Sequence, residues 1–203
     1  MLTTCFSFIR ADYKDVAGTI REFKGDMYPT VSHDAPLSID LTPDENCASY
    51  SRMVLWSPTD GQTVMFGNQI DGFYVLCYIL SRRFGYDIVM VSLTTDLDNR
   101  IINEETYQCL YFHYLGKSDR DERLVRVMQD PRWDFFEMGE PLPFEQTEKY
   151  TERIKKKRLT NDMILDYSEA MGYDVRNPDF WKSDNAVYLE WSDIPVRQKS
   201  KNG

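Results

Sequence analysis

The segment from Thr106 to Leu115 constrains the fold more than any other stretch of the chain. Its alternating positions carry Tyr107, Cys109, Tyr111 and His113 on one side and Gln108, Leu110, Phe112 and Tyr114 on the other. A strand with one wet face alternates apolar with polar residues. Here both sets are largely apolar or aromatic, which suits a strand inside a sheet. Further strands are predicted at Asp87–Leu93 and Arg123–Met128, and Asp130-Pro131 marks a turn into Trp133–Glu137. A second hairpin is predicted where Arg52–Ser57 and Thr63–Gly67 flank Pro58-Thr59-Asp60-Gly61. Cys5–Ile9 reads as an opening strand and Ala186–Trp191 as a final one.

Helical spacing appears in three places. Val16, Ile20 and Phe23 share one face of a helix over Asp12–Phe23, which Gly25 stops. The stretch from Asp26 to Tyr50 holds three prolines and reads as a long connection with one strand at Ser38–Leu41. Asp71 can cap a helix from Gly72 to Phe84, closed by Gly85. Phe73, Leu76, Cys77, Leu80 and Phe84 line one face of it, with Tyr74, Tyr78 and Ile79 to the side. A helix apolar nearly all round is expected to be buried at the centre of the fold. After Phe144, the residues Phe144, Tyr150 and Ile154 mark a helical segment running out into Lys155-Lys156-Lys157-Arg158. Thr160 or Asn161 then caps another, with Met163, Ile164, Tyr167 and Met171 as its stripe. The class is therefore α+β: a mostly antiparallel sheet with one buried central helix and a C-terminal helical pair. One domain is expected over residues 1–196, with 197–203 a disordered tail.

A chain of 203 residues at 42% apolar composition can build its core without a metal or a disulfide. Cys5, Cys77 and Cys109 sit in apolar runs and, with Cys47, lack the CxxC spacing of a zinc or redox site, so they read as reduced thiols. The N-terminus shows no basic region followed by a long apolar stretch, so no secretory signal is expected. The longest apolar run, Phe73 to Leu80, is far short of the ~20 residues that span a bilayer. These features point to a soluble, cytoplasmic protein. Thirty-three acidic against 24 basic side chains leave a net charge of −9. Such a field disfavours nucleic acid and anionic membrane as partners and favours a basic protein.

Catalytic motifs are missing: there is no GxGxxG, Walker A loop, HExxH or GxSxG. His113 lies among strand aromatics and reads as a core or half-buried residue. His33, beside Asp34, is a weak candidate base, because adjacency in sequence is not a catalytic geometry. Carboxylates cluster at Asp96 and Asp98, at Glu104 and Glu105, and at Asp119, Asp121 and Glu122. They read either as solvated loop tips or as a contact surface for a basic partner. A calcium loop would need a glycine and a distal Glu that Asn99 and Arg100 do not supply. The basic tetrad Lys155–Arg158 reads as the exposed C-terminal end of a helix. Trp133 is expected to pack with Phe135 and Phe136, while Trp181 and Trp191 divide between core and interface.

Several strings taken together carry a family resemblance. They are Asn68-Gln69-Ile70-Asp71-Gly72-Phe73, Arg123-Leu124-Val125-Arg126 and Asp130 through Gly139; then come Pro143-Phe144-Glu145, Tyr150, Arg153, Arg158-Leu159-Thr160, and Tyr167 before Gly172-Tyr173-Asp174. This arrangement resembles small bacterial proteins encoded beside polymorphic toxins, including those of contact-dependent inhibition and type VI secretion. The likeness spans roughly residues 52–175. It implies an immunity protein: a cytoplasmic binder that occludes a cognate toxin, is not an enzyme and uses no cofactor. The shared residues themselves read as structure, with Asp71 capping a helix, Trp133, Phe135 and Tyr167 packing, and Gly139 turning. The acidity fits a basic, nucleic-acid-handling toxin. Its contact residues are expected to be Asp96, Asp98, Glu104, Glu105, Asp119, Asp121 and Glu122 at the rim, with Trp181 as an anchor. A regulatory or adaptor protein, or a metal-dependent hydrolase using the clustered carboxylates, are the alternatives.

Overall fold

The computed structural model describes residues 3–25, 28, 30–38, 50–69, 71–94 and 108–192. Cys47, most of the strand expected at Ser38–Leu41, Asp96, Asp98, Glu104, Glu105 and the expected tail lie outside the described residues.

Nine strands run through Thr3–Ile9 (β1), Thr30–Ala35 (β2), Tyr50–Trp56 (β3), Thr63–Gly67 (β4), Ile88–Thr94 (β5), Cys109–Leu115 (β6), Glu122–Asp130 (β7), Arg132–Met138 (β8) and Ala186–Ser192 (β9). They form a single sheet in the order β2-β9-β3-β4-β1-β5-β6-β7-β8. Every neighbouring pair is antiparallel. The strand apolar on both faces, β6, is interior as its pattern demands: Phe112 stands opposite Val91 of β5 and Val125 of β7. Both expected hairpins form, β3–β4 and β7–β8. Strand β9 enters between β2 and β3, so the last described element is the second strand from one edge of the sheet.

Three α-helices accompany the sheet: Tyr13–Lys24 (α1), Tyr74–Phe84 (α2) and Asn161–Ala170 (α3). Helix α1 is capped by Asp12, whose Oδ1 accepts the Lys14 N–H at 2.8 Å, and α3 by Thr160, which accepts from Met163 N. Helices α1 and α2 cover one face over Ile9, Met53, Leu55, Met65, Met90 and Leu189. The other face buries Phe8, Trp56, Val91, Phe112 and Val125 beneath α3 and the irregular chain around it.

Three expectations meet a different arrangement. Helix α2 lies flat on the sheet with Leu76, Cys77, Leu80 and Ser81 buried, while Tyr74, Val75 and Tyr78 face outward, so it is not enclosed on all sides. The first member of the expected helical pair forms two 3-10 turns instead, Thr147–Thr151 and Lys155–Lys157. Its supposed stripe fails because Ile154 points into solvent. Meanwhile Lys155 bonds Asp134 of β8 at 2.8 Å and Arg158 lies over the Phe135 ring, so tertiary ties set the local geometry. Lastly, β2 is an edge strand inside what reads as a loop; its polar residues and flanking prolines hide it.

One buried charge network fastens the irregular layer to the sheet. Arg123 of β7 is 1% exposed. Its Nε lies 2.9 Å from Glu145 Oε1 and its Nη2 2.7 Å from Oε2, a two-pronged pairing with a fully buried carboxylate. Nη2 also donates to Glu137 Oε2 at 2.8 Å and Nη1 to the Gly139 carbonyl at 2.8 Å. Tyr150 donates to Glu145 Oε2 at 2.8 Å and stands 3.0 Å from the Tyr167 hydroxyl on α3. Gly139, at φ 84°, brings the backbone so close that a Cβ there would sit 2.0 Å from the Glu122 carbonyl oxygen. Removing the Glu145 charge leaves buried Arg123 with only the half-exposed Glu137 as counter-charge, so Glu145→Gln is expected to cost about 3 kcal/mol in urea unfolding. Arg123→Met combined with Glu145→Leu should recover more than half of that loss.

Candidate interaction surface

The outer face of α2 begins with an unusual backbone entry. Gly72 and Phe73 both adopt positive φ, 66° and 61°, and Asp71 Oδ1 accepts the Phe73 N–H at 3.0 Å. A bulky residue takes this conformation only where packing compels it. Here the Phe73 ring lies where a Cβ on Gly67 would be, 2.1 Å from its Cε2 atom, and 5.6 Å from the Trp191 ring. With Phe73 folded inward, the first turn of α2 presents Tyr74 and Val75 to solvent and the next turn presents Tyr78. Val75 is 63% exposed, and Tyr74 and Tyr78 are 40% and 37% exposed.

The neighbouring sheet surface continues this character. Helix α2 packs on β5 and β6, and beyond them the same face carries Leu124, Arg126 and Met128 of β7 beside Met138 and Phe136 of β8. Phe136 and Met138 are 43% and 42% exposed, and Arg126 lies over the Phe136 ring at 5.4 Å. Tyr74 stacks on His113 at 5.6 Å, and His113 stands opposite Leu124, which stands opposite Met138. An apolar, aromatic surface thus runs from α2 across β6 to the β8 edge.

A chain of polar contacts holds it in place. His113 Nε2 is 2.8 Å from Glu122 Oε1, Glu122 Oε2 is 2.5 Å from Arg82 Nη2, and Arg82 Nε is 2.9 Å from Asp119 Oδ1. Arg82 also donates to the Gly116 and Ser118 carbonyls and lies over Tyr78 at 5.1 Å. Burial pulls the His113 imidazole below its ordinary value, against the opposing pull of Glu122. It is therefore neutral near pH 7, donating its Nε2 proton to the carboxylate.

The sequence-derived contact residues divide by position. Asp119, Asp121 and Glu122 come together at the turn between β6 and β7, with Asp119 81% exposed and Glu122 turned inward to His113 and Arg82. Asp121 accepts from the Ser118 hydroxyl at 2.6 Å. Trp181 lies on the opposite side of the sheet, stacked among Phe6, Phe8, Trp56 and Phe180, and its Nε1 donates to the Val175 carbonyl at 2.8 Å. His33 stacks on Tyr188 at 5.0 Å. Tyr74, Val75, Tyr78, Phe136 and Met138 were missed as surface residues because apolar residues in a regular element read as core. The signal for them is the absence of a polar stripe on α2.

Among the described residues, no group of three or more His, Cys, Asp or Glu is placed to hold a metal ion, and no helix is long and apolar enough to cross a membrane. Cys5, Cys77 and Cys109 are free thiols. Burial pushes Cys77 up to about 12 and Cys109 up to about 11, and raises Cys5. No family model, curated protein or solved structure matches the chain.

Two outcomes follow from these environments. An unfolded histidine takes up its proton near pH 6.5, before folded His113 does, so the stability it supports is complete above that pH and falls as the pH drops through it. Thermal melts between about pH 7 and pH 5 should show this decline, and His113→Gln should flatten it. Cys5 and Cys77, both buried, should react with a disulfide reagent at pH 8 only as fast as the protein unfolds, while the half-buried Cys109 should react slowly because little of it is thiolate.

Proposed function

We propose that this chain is a bacterial immunity protein, which binds a cognate protein toxin and neutralises it by covering its active site. The outer face of α2 carries the reading. Tyr74, Val75, Tyr78, Phe136 and Met138 stand exposed on one side of the molecule, with Arg126 among them. Contiguous apolar surface of this kind is unfavourable in water and marks a site that another macromolecule covers. Tyr, Phe, Met and Arg are also the residues that interface centres favour.

The acidic turn lies at the rim of this face. Asp119 and Asp121 add to a net charge of −9 and would steer a basic partner toward it. Rim charges set the rate of encounter, while the apolar centre excludes water and sets how long the complex lasts. Asp96, Asp98, Glu104 and Glu105 join this acidic set on sequence grounds. On this reading the chain works in the cytoplasm, makes and breaks no bonds, and needs no cofactor. The resemblance of the strings between residues 52 and 175 is what makes a toxin the partner; an adaptor protein would use the same face for another one.

Co-expression with the product of the adjacent gene should rescue growth and give a stable 1:1 complex. Val75→Glu with Tyr78→Glu should abolish both, at about 2 kcal/mol or more of binding free energy for each site. Val75→Glu alone should barely move the melting curve, because Val75 faces solvent, while Tyr78→Glu should lower it modestly by removing the ring under Arg82. Asp119→Lys should slow association several-fold and leave dissociation unchanged. Full rescue by the double variant would sink the assignment of this face, and no rescue by the native chain would sink the immunity reading itself.

A further inference from the structure

On the far flank of α2, away from β8, a cleft of about 370 Å³ opens between the end of α1 and the start of α2. Its walls include Phe23, Phe73, Ile79 and Trp191, with Lys24 and Asp71 as its charged groups. The rings of Phe73 and Trp191 meet at 54° with centroids 5.6 Å apart, forming an aromatic corner. Cations already sit on the rings here. Lys24 Nζ lies 4.2 Å from the centre of the Trp191 ring and 5.4 Å from that of Tyr28, and Arg83 lies 5.8 Å from that of Phe23. The face of an aromatic ring is electron-rich, and a desolvated indole is the strongest such receptor among side chains.

We propose that this cleft is a receptor for an alkylammonium cation with an apolar body, which exchanges with the Lys24 ammonium on the Trp191 ring. The guest's charge would take the position Lys24 now holds, with Asp71 supplying counter-charge in the cleft wall. Its hydrocarbon part would lie against Phe73 and Ile79, so both ends of the guest are matched by what lines the cavity. Lys24 acts as a tethered competitor. Its ammonium already occupies the Trp191 ring face, so a guest must displace it and native affinity is weakened by that occupancy. Displaced, the Lys24 ammonium goes to water, where a charge on a flexible stem is readily solvated. The cleft shares Val75 with the proposed toxin-binding face, but its binding of a cation needs no partner protein.

The competitor model fixes the sign of a decisive test. Titration of the full chain with n-hexylammonium, followed by the Trp191 indole N–H resonance, should give a saturable shift at that indole. Lys24→Met should tighten binding by about threefold or more, since the guest no longer competes with an internal cation. Asp71→Asn should weaken it by a similar factor, while the amide oxygen still accepts the Phe73 N–H and preserves the entry to α2. n-Hexanol, equal in apolar body but uncharged, should bind more weakly than the ammonium to the Lys24→Met variant. A second arm with the peptide acetyl-Gly-Lys-Gly-amide separates the sources. A shift with the peptide assigns the site to a lysine side chain of a polypeptide, and a shift with hexylammonium alone assigns it to a free amine. The proposal is overturned if Lys24→Met leaves affinity unchanged or lowers it, if hexanol matches the ammonium, or if neither cation moves the Trp191 signal.

Discussion

A guanidinium sealed inside the protein sets the terms for half of this structure. Arg123 sits on an interior strand with 1% of its surface exposed, and water contributes almost nothing to its charge. Burial alone would pull the Arg123 guanidinium below its ordinary value; its hydrogen bonds with Glu145 and Glu137 outweigh that and hold it above. Satisfying it takes the two carboxylates, and the Gly139 carbonyl besides. Those partners come from β8 and from the chain that follows it, so the segment after β8 must return across the sheet. Tyr150 and Tyr167 extend the requirement to α3 through their hydroxyls. Such a pair adds little net stability compared with apolar residues of the same volume, but its geometry is unforgiving and it specifies one arrangement of the layer.

This network gathers residues that lie far apart along the chain. Arg123, Gly139, Glu145, Tyr150 and Tyr167 come from separate parts of the sequence, yet they meet in one set of contacts. Asp71 and Gly72 perform a comparable task elsewhere: one caps the Phe73 N–H and the other supplies the left-handed turn before it. These residues build the scaffold and leave the choice of partner to the surfaces around it. The face proposed to meet the toxin draws instead on Tyr74, Val75, Tyr78, Phe136 and Met138.

How much of this was legible in the sequence depends on the distance over which each element is decided. Helix α1 was legible almost to the residue, because Asp12, Gly25 and the spacing of Val16 and Ile20 all act locally. The β3–β4 and β7–β8 hairpins were legible for the same reason. The position of β9 was not: it pairs with β3, with Leu55 opposite Val187, and no local pattern carries that register. The turns at Thr147–Thr151 and Lys155–Lys157 replaced a predicted helix because Glu145 and Lys155 are claimed by Arg123 and Asp134. The acidic turn was legible as a cluster, though the inward rotation of Glu122 depends on His113 and Arg82 from other elements. The apolar character of α2 was read correctly, but apolar on all sides has two meanings. It describes a helix enclosed by its own chain or one with a second partner, and the sequence alone does not say how many layers lie above it.

The sheet's dimensions decide between those meanings. Nine strands at the usual spacing make a sheet roughly 38 Å wide, and a helix with its side chains covers about 10 Å of it. Two helices on one face therefore leave about half of that face uncovered. Helix α1 packs on β9, β3 and β4, and α2 on β5 and β6, so β7 and β8 lie past the end of the helical layer. A solvent-facing sheet surface ordinarily turns polar where its cover stops. Here it turns only partly polar: Leu124, Met128, Phe136 and Met138 continue the apolar face beside Arg126 and Asp134, and α2 turns Tyr74 and Tyr78 toward the same side. The opposite face at the same strands is covered, by the turn at Lys155–Lys157 and by Arg158 over Phe135. Among the described residues the asymmetry is thus local to one face, and it is built from side chains whose burial under a further layer would contribute favourable free energy.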